Sequence, residues 1–281
     1  MNYETLKSKF EKDGYVVINN FFDENDVEKL KNAGLKLTQN VPNEAKTVFK
    51  TSQNNQEISS YFMESCDKIG YFYEKDALDE NGDLLVDQSI ALNKVGHALH
   101  RLEPTFEAYT YNDKVSNICR ALGLIRPTVV QSMYIYKNPG IGGEVVAHQD
   151  STFLHTEPDS LVGFWIALDD STIENGCLWV IPGTHKNDVH QKLVCDPKNK
   201  SRNQTIFQGT FPDYEQSAFV PVPVKKSGLV IIHGRIIHKS DHNKSQLSRH
   251  AYTFHVYDEA SSQYSDKNWL QTKIGFKSLY L

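Results

Sequence analysis

The 281-residue chain has no large excess of charge of either sign and no long uninterrupted apolar run. Its formal net charge is −5 with histidine neutral. The chain therefore lacks the excess of basic residues that is typical of a nucleic-acid-binding domain, and it lacks a polybasic patch for a membrane surface. No apolar stretch approaches the ~20 residues that a transmembrane helix needs. We expect neither nucleic acid as a partner nor insertion into a membrane.

Cysteine is scarce, and recognisable targeting signals are missing. The first seven residues predict a charged amphipathic helix instead of a signal peptide, and the last three residues do not match the Ser-Lys-Leu peroxisomal address. The cysteines are far apart, form no Cys-x-x-Cys pair, and predict free thiols in a reducing compartment. They are Cys66, Cys119, Cys177 and Cys195. We expect a cytoplasmic protein.

The chain shows no repeat, coiled coil or low-complexity segment, and its pattern changes once. Residues 1–125 are rich in predicted helices, whereas residues 126–258 alternate short strands with turns. This order predicts one domain over residues 1–281, mainly β with helices. The expected architecture is a two-sheet jelly roll of the cupin type, buttressed by the N-terminal helices. Such a barrel can hold a ligand in its mouth.

Some elements have specific local signals. Asp23 as an N-cap, with Asp26 three residues later, predicts the start of a helix. Asn175-Gly176 predicts a hairpin between the two apolar strands beside it. Residues 88–122 predict two or three helices, because apolar residues recur there near the helical period. These residues are Leu92, Val95, Leu99 and Leu102.

The clearest chemical signal is His148-Gln149-Asp150, which follows an extended run at residues 145–148. On a strand, residues i and i+2 point to the same face, so His148 and Asp150 could chelate one ion while Gln149 points away. Two histidines and one carboxylate can occupy one face of an octahedral iron, and the opposite face stays open for a co-substrate and oxygen. A lone His-x-Asp is weak evidence, so a second histidine is required.

Two histidines are candidates for the remaining ligand. His233 ends an apolar run that predicts a buried strand, and the next strand begins around His238. We favour His238 because Arg249 follows it by 11 residues, a spacing that would return both to one cavity on adjacent antiparallel strands. His233 would then be a hydrogen-bonded core or turn histidine. Spacing alone leaves this choice open.

A competing His-x-Glu motif occupies residues 155–157. Because Pro158 follows it at once and Asp159-Ser160 continue the turn, the motif predicts a loop instead of a metal site. We therefore expect His155 to be a loop histidine.

Arg249 opens an alternating segment with a small, polar face that suits a cavity wall. Alternation places on this face Arg249, Ala251, Thr253 and His255. A guanidinium there can bind a dicarboxylate end-on through two parallel charge-assisted hydrogen bonds, and Ser240 could add a hydroxyl donor. Together with the candidate iron ligands, this arginine predicts an Fe(II)- and 2-oxoglutarate-dependent oxygenase.

Four blocks of sequence resemble the phytanoyl-CoA dioxygenase (PhyH) family, and the resemblance spans nearly the whole chain. They are ALNKVGHALH at 91–100, residues 148–158, ENGCLWVIPGTH at 174–185, and residues 233–254. The resemblance implies a double-stranded β-helix in which Fe(II) is held by His148, Asp150 and His238, not by His233. It also implies 2-oxoglutarate as co-substrate and O2 as oxidant, with ascorbate in a supporting role.

By position, the resemblance implies further contacts to 2-oxoglutarate beside the carboxylate clamp Arg249. These are Lys94, Met133, Trp165 and Ser240, in addition to His148 and Asp150. Without the resemblance, Lys94 would be a surface helix lysine, Met133 a strand filler and Trp165 a core residue.

The reaction implied by the resemblance is hydroxylation of a small organic or lipid-like substrate, with release of succinate and CO2. Related halogenases place a halide where Asp150 stands, so its presence favours hydroxylation. Two alternatives stay open: a protein that binds metal and 2-oxoglutarate without hydroxylase activity, and a non-oxygenase barrel of the same architecture. We make no prediction of the oligomeric state.

Overall fold

The computed structural model of the chain describes residues 3–42, 47–48, 60–198 and 204–280. The α-helices among them are α1 (Tyr3–Asp13), α2 (Glu24–Gln39), α3 (Ser60–Met63), α4 (Leu99–Leu102), α5 (Pro104–Thr110) and α6 (Asp113–Leu122). The strands are β1 (Tyr15–Ile18), β2 (Thr47–Val48), β3 (Ile69–Tyr73), β4 (Leu92–His97), β5 (Pro127–Ile135), β6 (Val145–His148), β7 (Thr156–Glu157), β8 (Val162–Ala167), β9 (Leu178–Ile181), β10 (Gln191–Cys195), β11 (Thr205–Gly209), β12 (Val220–Val222), β13 (Leu229–His233), β14 (Ile237–Ser240), β15 (Ala251–Asp258), β16 (Gln263–Tyr264) and β17 (Lys277–Ser278).

Two sheets form the body of the molecule. The larger sheet has the strand order β1-β13-β8-β15-β5-β4-β3-β2, with β17 beside β5, and the smaller sheet has the order β12-β9-β14-β6. Two short antiparallel strand pairs, β10 with β11 and β7 with β16, lie outside these sheets. This arrangement confirms the predicted mainly β jelly roll. Strands β3 and β4 come from the helix-rich first part of the chain, so that part contributes directly to the larger sheet.

The two faces of the larger sheet pack against different partners. One face meets the helices: Phe106 of α5 stacks on Tyr252 with ring centroids 4.7 Å apart. Helix α2 approaches so closely that a Cβ at Gly34 would lie 2.0 Å from the Tyr134 ring. The other face meets the smaller sheet through a cluster that includes Trp165, Ala251, Val180 and Val222. Alternation along β15 thus separates the helical buttress from the barrel interior.

The predicted start of the second helix is confirmed. Asp23 accepts a hydrogen bond from the backbone N–H of Asp26 at 2.8 Å, and Asp26 accepts one from the backbone N–H of Asp23 at 3.4 Å. This reciprocal capping box satisfies two donors at the start of α2 and stabilises it by about 1 kcal/mol.

Two predictions about local elements were wrong. Residues 92–97 form strand β4 between β3 and β5 instead of opening a helix, because pairing on both sides outweighs a weak helical pattern. The Asn175-Gly176 turn does not form a hairpin: β8 pairs within the larger sheet and β9 within the smaller one. Gly176, with a φ of +84°, instead makes the turn by which the chain crosses between the sheets.

The four cysteines are buried thiols that form no disulfide bond, in agreement with the prediction. Burial raises the pKa of Cys66 to about 12 and that of Cys177 to about 11, so these thiols stay protonated and unreactive at neutral pH. Among the described residues, no helix has both the length and the apolar character needed to span a bilayer.

Candidate active site

Three candidate ligands meet at one end of the smaller sheet. His148 ends β6, and His238 lies directly opposite it on β14 in antiparallel register. Asp150 opens a short 3-10 helix, Asp150–Thr152, immediately after β6. One ligand atom from each residue lies within 4.8 Å of the other two. We call this group the His–Asp–His cluster.

Both imidazoles of the cluster are oriented by backbone carbonyls. Nδ1 of His148 lies 2.8 Å from the oxygen of Val146, and Nδ1 of His238 lies 3.1 Å from the oxygen of Ile236. Because a carbonyl oxygen only accepts, each Nδ1 carries the proton and each Nε2 presents a lone pair. Burial lowers the pKa of His238 to about 4, which keeps that ring neutral at pH 7.

The lone pairs converge on the carboxylate. Nε2 of His148 and Nε2 of His238 each lie 3.6 Å from Oδ1 of Asp150. With both Nδ1 atoms hydrogen-bonded to carbonyls, the two Nε2 atoms and the carboxylate oxygen are three electron-pair donors that a cation between them would stabilise. Two imidazoles and one carboxylate are the ligands that non-heme Fe(II) sites use. The cluster therefore fits an iron ion by its donor chemistry and by its protonation.

The second oxygen of the carboxylate has its own partner, His255. Oδ2 of Asp150 lies 3.0 Å from Nε2 of His255. Burial alone would raise the pKa of Asp150, but the neighbouring His255 and His238 and the hydrogen bond from His255 hold the pKa well below its usual range. Alternation placed His255 on the cavity face but did not suggest this contact, because the partner comes from the other sheet.

His233, the alternative ligand, lies apart from the cluster. Its ring centroid is 5.7 Å from that of Phe10 and 5.1 Å from that of His185. Its Nδ1 accepts the backbone N–H of Arg235 at 3.1 Å. The structure therefore places it as a half-buried, hydrogen-bonded histidine at the end of β13.

The competing motif at residues 155–157 also lies outside the cluster. His155 Nε2 is 2.8 Å from the ammonium of Lys192 and 3.4 Å from the carboxylate of Glu157. The segment was predicted as a loop, but Thr156–Glu157 forms the short strand β7. The difference arises because β16, from residues far along the chain, supplies its pairing partner.

Arg249 lies between the sheets, directly before β15. Its side chain is only 2% exposed, one Nη2 hydrogen bond reaches Ser240 Oγ at 3.3 Å, and the Trp165 ring centroid lies 5.2 Å from its Cζ. Within the described part of the chain, its Nε and Nη1 atoms have no hydrogen-bond partner. Burial lowers the pKa of Arg249 to about 10, which leaves it charged at pH 7. A buried cation with unpaired donors fits a carboxylate ligand.

The predicted relation between His238 and Arg249 was wrong in one respect. They do not lie on adjacent antiparallel strands, because β14 pairs with β6 and β9 whereas β15 pairs with β5 and β8. The connection between them crosses from the smaller sheet to the larger one. Arg249 and the β14 residue Ser240 therefore meet across the barrel interior.

The other predicted contacts lie on the inner face of the larger sheet. Met133, Thr253 and Trp165 stand side by side in register. Lys94 pairs with Ile135, which pairs with the inward-facing Ala251. Lys94 thus belongs to a cavity-facing strand, not to a surface helix, and burial lowers its pKa to about 7.

Two further buried charges lie close to this region, and no sequence signal distinguished them. Lys137 donates to the carbonyl oxygens of Gly143 and Asp241 at 2.6 and 2.7 Å, and burial lowers its pKa to about 7. Glu74 accepts the backbone N–H of Gly143 at 3.2 Å, and burial raises its pKa. Both side chains tie the turn after β5 to the barrel.

The family model and the relatives that match this chain carry the same family name. The family model described as Phytanoyl-CoA dioxygenase (PhyH) matches residues 10–251. The Phytanoyl-CoA dioxygenase domain-containing protein 1 homolog of Caenorhabditis elegans is 44% identical over 278 residues, which cover 97% of this chain and 96% of that protein. The Phytanoyl-CoA dioxygenase domain-containing protein 1 of Danio rerio is 43% identical over 281 residues, with coverage of 97% and 96%.

Solved structures share the fold at low sequence identity. The non-heme alpha ketoglutarate dependent epimerase SnoN from nogalamycin biosynthesis matches with a TM-score of 0.65 and 13% identity, covering 99% of this chain and 98% of its own. EctD from S. alaskensis, solved with 2-oxoglutarate and 5-hydroxyectoine, matches with a TM-score of 0.61 and 18% identity, covering 91% and 76%. Likeness at these identities shows a common fold.

Proposed function

The chain belongs to the phytanoyl-CoA dioxygenase (PhyH) family, and we propose that it is an Fe(II)- and 2-oxoglutarate-dependent dioxygenase. One observation carries the proposal: the His–Asp–His cluster shares a barrel interior with a buried arginine whose Nε and Nη1 donors lack partners among the described residues. A keto acid with a second carboxylate is a ligand that both groups can bind at once.

In this proposal, His148, Asp150 and His238 hold the iron. The two histidines supply unprotonated Nε2 atoms, and Asp150 supplies the negative charge that favours a divalent cation. When bound, the iron with 2-oxoglutarate and O2 supplies the oxidising chemistry that hydroxylates a substrate and releases succinate and CO2. The carbonyls of Val146 and Ile236 hold the rings so that the Nε2 lone pairs face inward.

The residues of the larger sheet would bind and orient 2-oxoglutarate. Arg249 would take the carboxylate far from the iron through its unpaired donors, while Ser240 and Trp165 hold the guanidinium in place. Lys94 would add positive charge, and Met133 an apolar wall. The apolar cluster between the sheets excludes water and so strengthens these ionic contacts.

The proposed substrate is a small organic or lipid-like molecule, in line with the acyl-CoA in the name of the family. Ascorbate would support turnover by keeping iron reduced. Free, buried thiols suit a reducing compartment, and we propose the cytoplasm.

A second candidate function is binding of metal and 2-oxoglutarate without hydroxylation. Succinate formation distinguishes this binding protein from the dioxygenase. It is measured on purified protein with Fe(II), ascorbate and 2-oxoglutarate, and Asp150→Ala is the control. Succinate from the wild type and none from the variant would support the dioxygenase. Binding of both ligands without succinate, even across a screen of substrates, would favour the second candidate. Failure of the wild type to bind either ligand would overturn both.

A further inference from the structure

A row of three residues across the larger sheet includes one that contacts the His–Asp–His cluster. Gln131 on β5, His255 on β15 and Gly163 on β8 stand in register. Nε2 of His255 lies 3.0 Å from Oδ2 of Asp150, and its Nδ1 lies 3.3 Å from Nε2 of Gln131. A continuous line of hydrogen bonds therefore joins the larger sheet to a candidate ligand held by the smaller one.

The two contacts of His255 fix the protons in this line, while Oε1 of Gln131 is buried without a partner among the described residues. Oδ2 of an ionised carboxylate only accepts, so Nε2 of His255 donates to it. Nδ1 on the other side of the ring faces the side-chain amide of Gln131 and accepts its N–H. Both Gln131 and His255 are buried, so water competes little for these bonds.

Gly163 provides the space in which this contact forms. A Cβ at that position would lie 3.2 Å from Nε2 of His255 and 3.3 Å from Oδ2 of Asp150. Both distances are shorter than Cβ atoms normally keep. Any side chain at residue 163 would press on both partners of the hydrogen bond, so the glycine is part of the arrangement.

We propose that His255 is a positioning residue for Asp150. By holding Oδ2, it turns Oδ1 toward the Nε2 atoms of His148 and His238, so that the carboxylate meets the metal through one defined oxygen. Gln131 fixes the ring and tautomer of His255, and Gly163 leaves room for the pair. The inference rests on the proposed function, since it requires the cluster to be a metal site.

The test is titration of the metal-free full chain with Mn(II) and Co(II), without any turnover. His255→Leu should weaken binding by about 10–100-fold, the usual effect of losing a partner of a metal ligand. His255→Gln can place an amide N–H near the position of Nε2, so it should recover most of that affinity. Gly163→Ala should weaken binding to an intermediate extent. His233→Gln removes a half-buried histidine away from the cluster and should bind as the wild type does.

The visible spectrum of bound Co(II) separates positioning from general destabilisation. We expect His255→Leu to change this spectrum while its Tm without metal stays close to that of His255→Gln. Wild-type affinity and an unchanged spectrum in His255→Leu would overturn the inference. Should that variant fail to fold, wild-type affinity in Gly163→Ala would overturn it, and weakened affinity there would support it. Failure of the wild type to bind either metal would instead overturn the proposed function.

Discussion

The two ends of the barrel interior differ in how completely their polar atoms are paired. At the metal end, the backbone orients His148 and His238, and His255 holds the second oxygen of Asp150. At the guanidinium end, Arg249 makes one side-chain hydrogen bond, to Ser240, while its Nε and Nη1 atoms lack a partner among the described residues. Arg249 is only 2% exposed, whereas His148 and Asp150 are half-buried, so water does not pair the donors at the guanidinium end.

The two ends are suited to their ligands in different ways. Under the proposed function, hydrogen bonds that do not involve the metal already orient the ligands of the metal end, which would reduce the reorganisation needed on binding. The guanidinium end leaves buried donors unsatisfied, which costs about 1–3 kcal/mol of stability for such a group. A carboxylate ligand would satisfy these donors, so ligand binding should stabilise this end more than the metal end.

The largest expected effect comes from removing a ligand at the metal end. His238→Ala should abolish metal-dependent succinate formation, because only two protein ligands would remain. His233→Ala should keep turnover, since that ring packs near Phe10 and His185. Succinate release is compared between the two variants at equal concentrations of folded protein. The comparison decides whether His238 or His233 is the second histidine ligand. Turnover lost in His233→Ala but kept in His238→Ala would reverse the assignment.

The next effect concerns the unpaired guanidinium. Arg249→Met should weaken 2-oxoglutarate binding by about 2–5 kcal/mol, the usual result of truncating a buried charge pair. Without ligand, the same variant should be as stable as the wild type or more stable, because an apolar side chain replaces an incompletely paired buried charge. Calorimetric titration measures the first effect and the Tm of the ligand-free protein the second.

Arg249→Lys is the matched control for this substitution. It keeps the charge but loses the planar fork of donors, so its affinity for 2-oxoglutarate should fall between those of the wild type and Arg249→Met. Unchanged affinity in Arg249→Met would reject the clamp. A much lower Tm of ligand-free Arg249→Met would show that the guanidinium stabilises the fold, and that the guanidinium end is not strained by its unpaired donors.

Sequence-based prediction succeeded where a pattern is local. The capping box of Asp23 and Asp26 lies within four consecutive residues, and the structure has it with the expected bonds. Alternation after Arg249 assigned Thr253 and His255 to the inner face, where the structure places them beside Trp165 and Asp150. A period of two residues suffices for such assignments.

Prediction failed where the outcome depends on a distant partner. Strand β4 has an ambiguous pattern, and it is a strand because β3 and β5 flank it. The turn at Gly176 looks like a hairpin turn, yet the next strand joins the other sheet. The contact between His255 and Asp150 spans 105 positions of sequence, so no local pattern could indicate it.

A smaller effect should appear in the pH dependence of 2-oxoglutarate binding. Burial lowers the pKa of Lys94 to about 7. The lysine attracts an anion only when protonated, so affinity should be full below that pKa and fall by up to about tenfold per pH unit above it. Dissociation constants measured between about pH 6 and 8.5 test this.

Lys94→Met is the control for the pH profile, because it should bind more weakly at low pH and lose the decline above neutrality. The pKa of Lys137 is also lowered to about 7, but its ammonium donates to two backbone carbonyls. A decline that persists in Lys94→Met would assign the titration to Lys137 and remove Lys94 from the 2-oxoglutarate site.

The smallest effect concerns the aromatic ring beside the guanidinium. The Trp165 ring centroid lies 5.2 Å from Cζ of Arg249, and a cation–π contact of this kind contributes about 0.5–2 kcal/mol. Trp165→Phe keeps a weaker aromatic face, so its dissociation constant for 2-oxoglutarate should rise only about two- to fivefold. Trp165→Leu removes the face and should weaken binding further. Equal affinities in these two variants would mean that Trp165 acts by filling space, and that Ser240 alone orients the arginine.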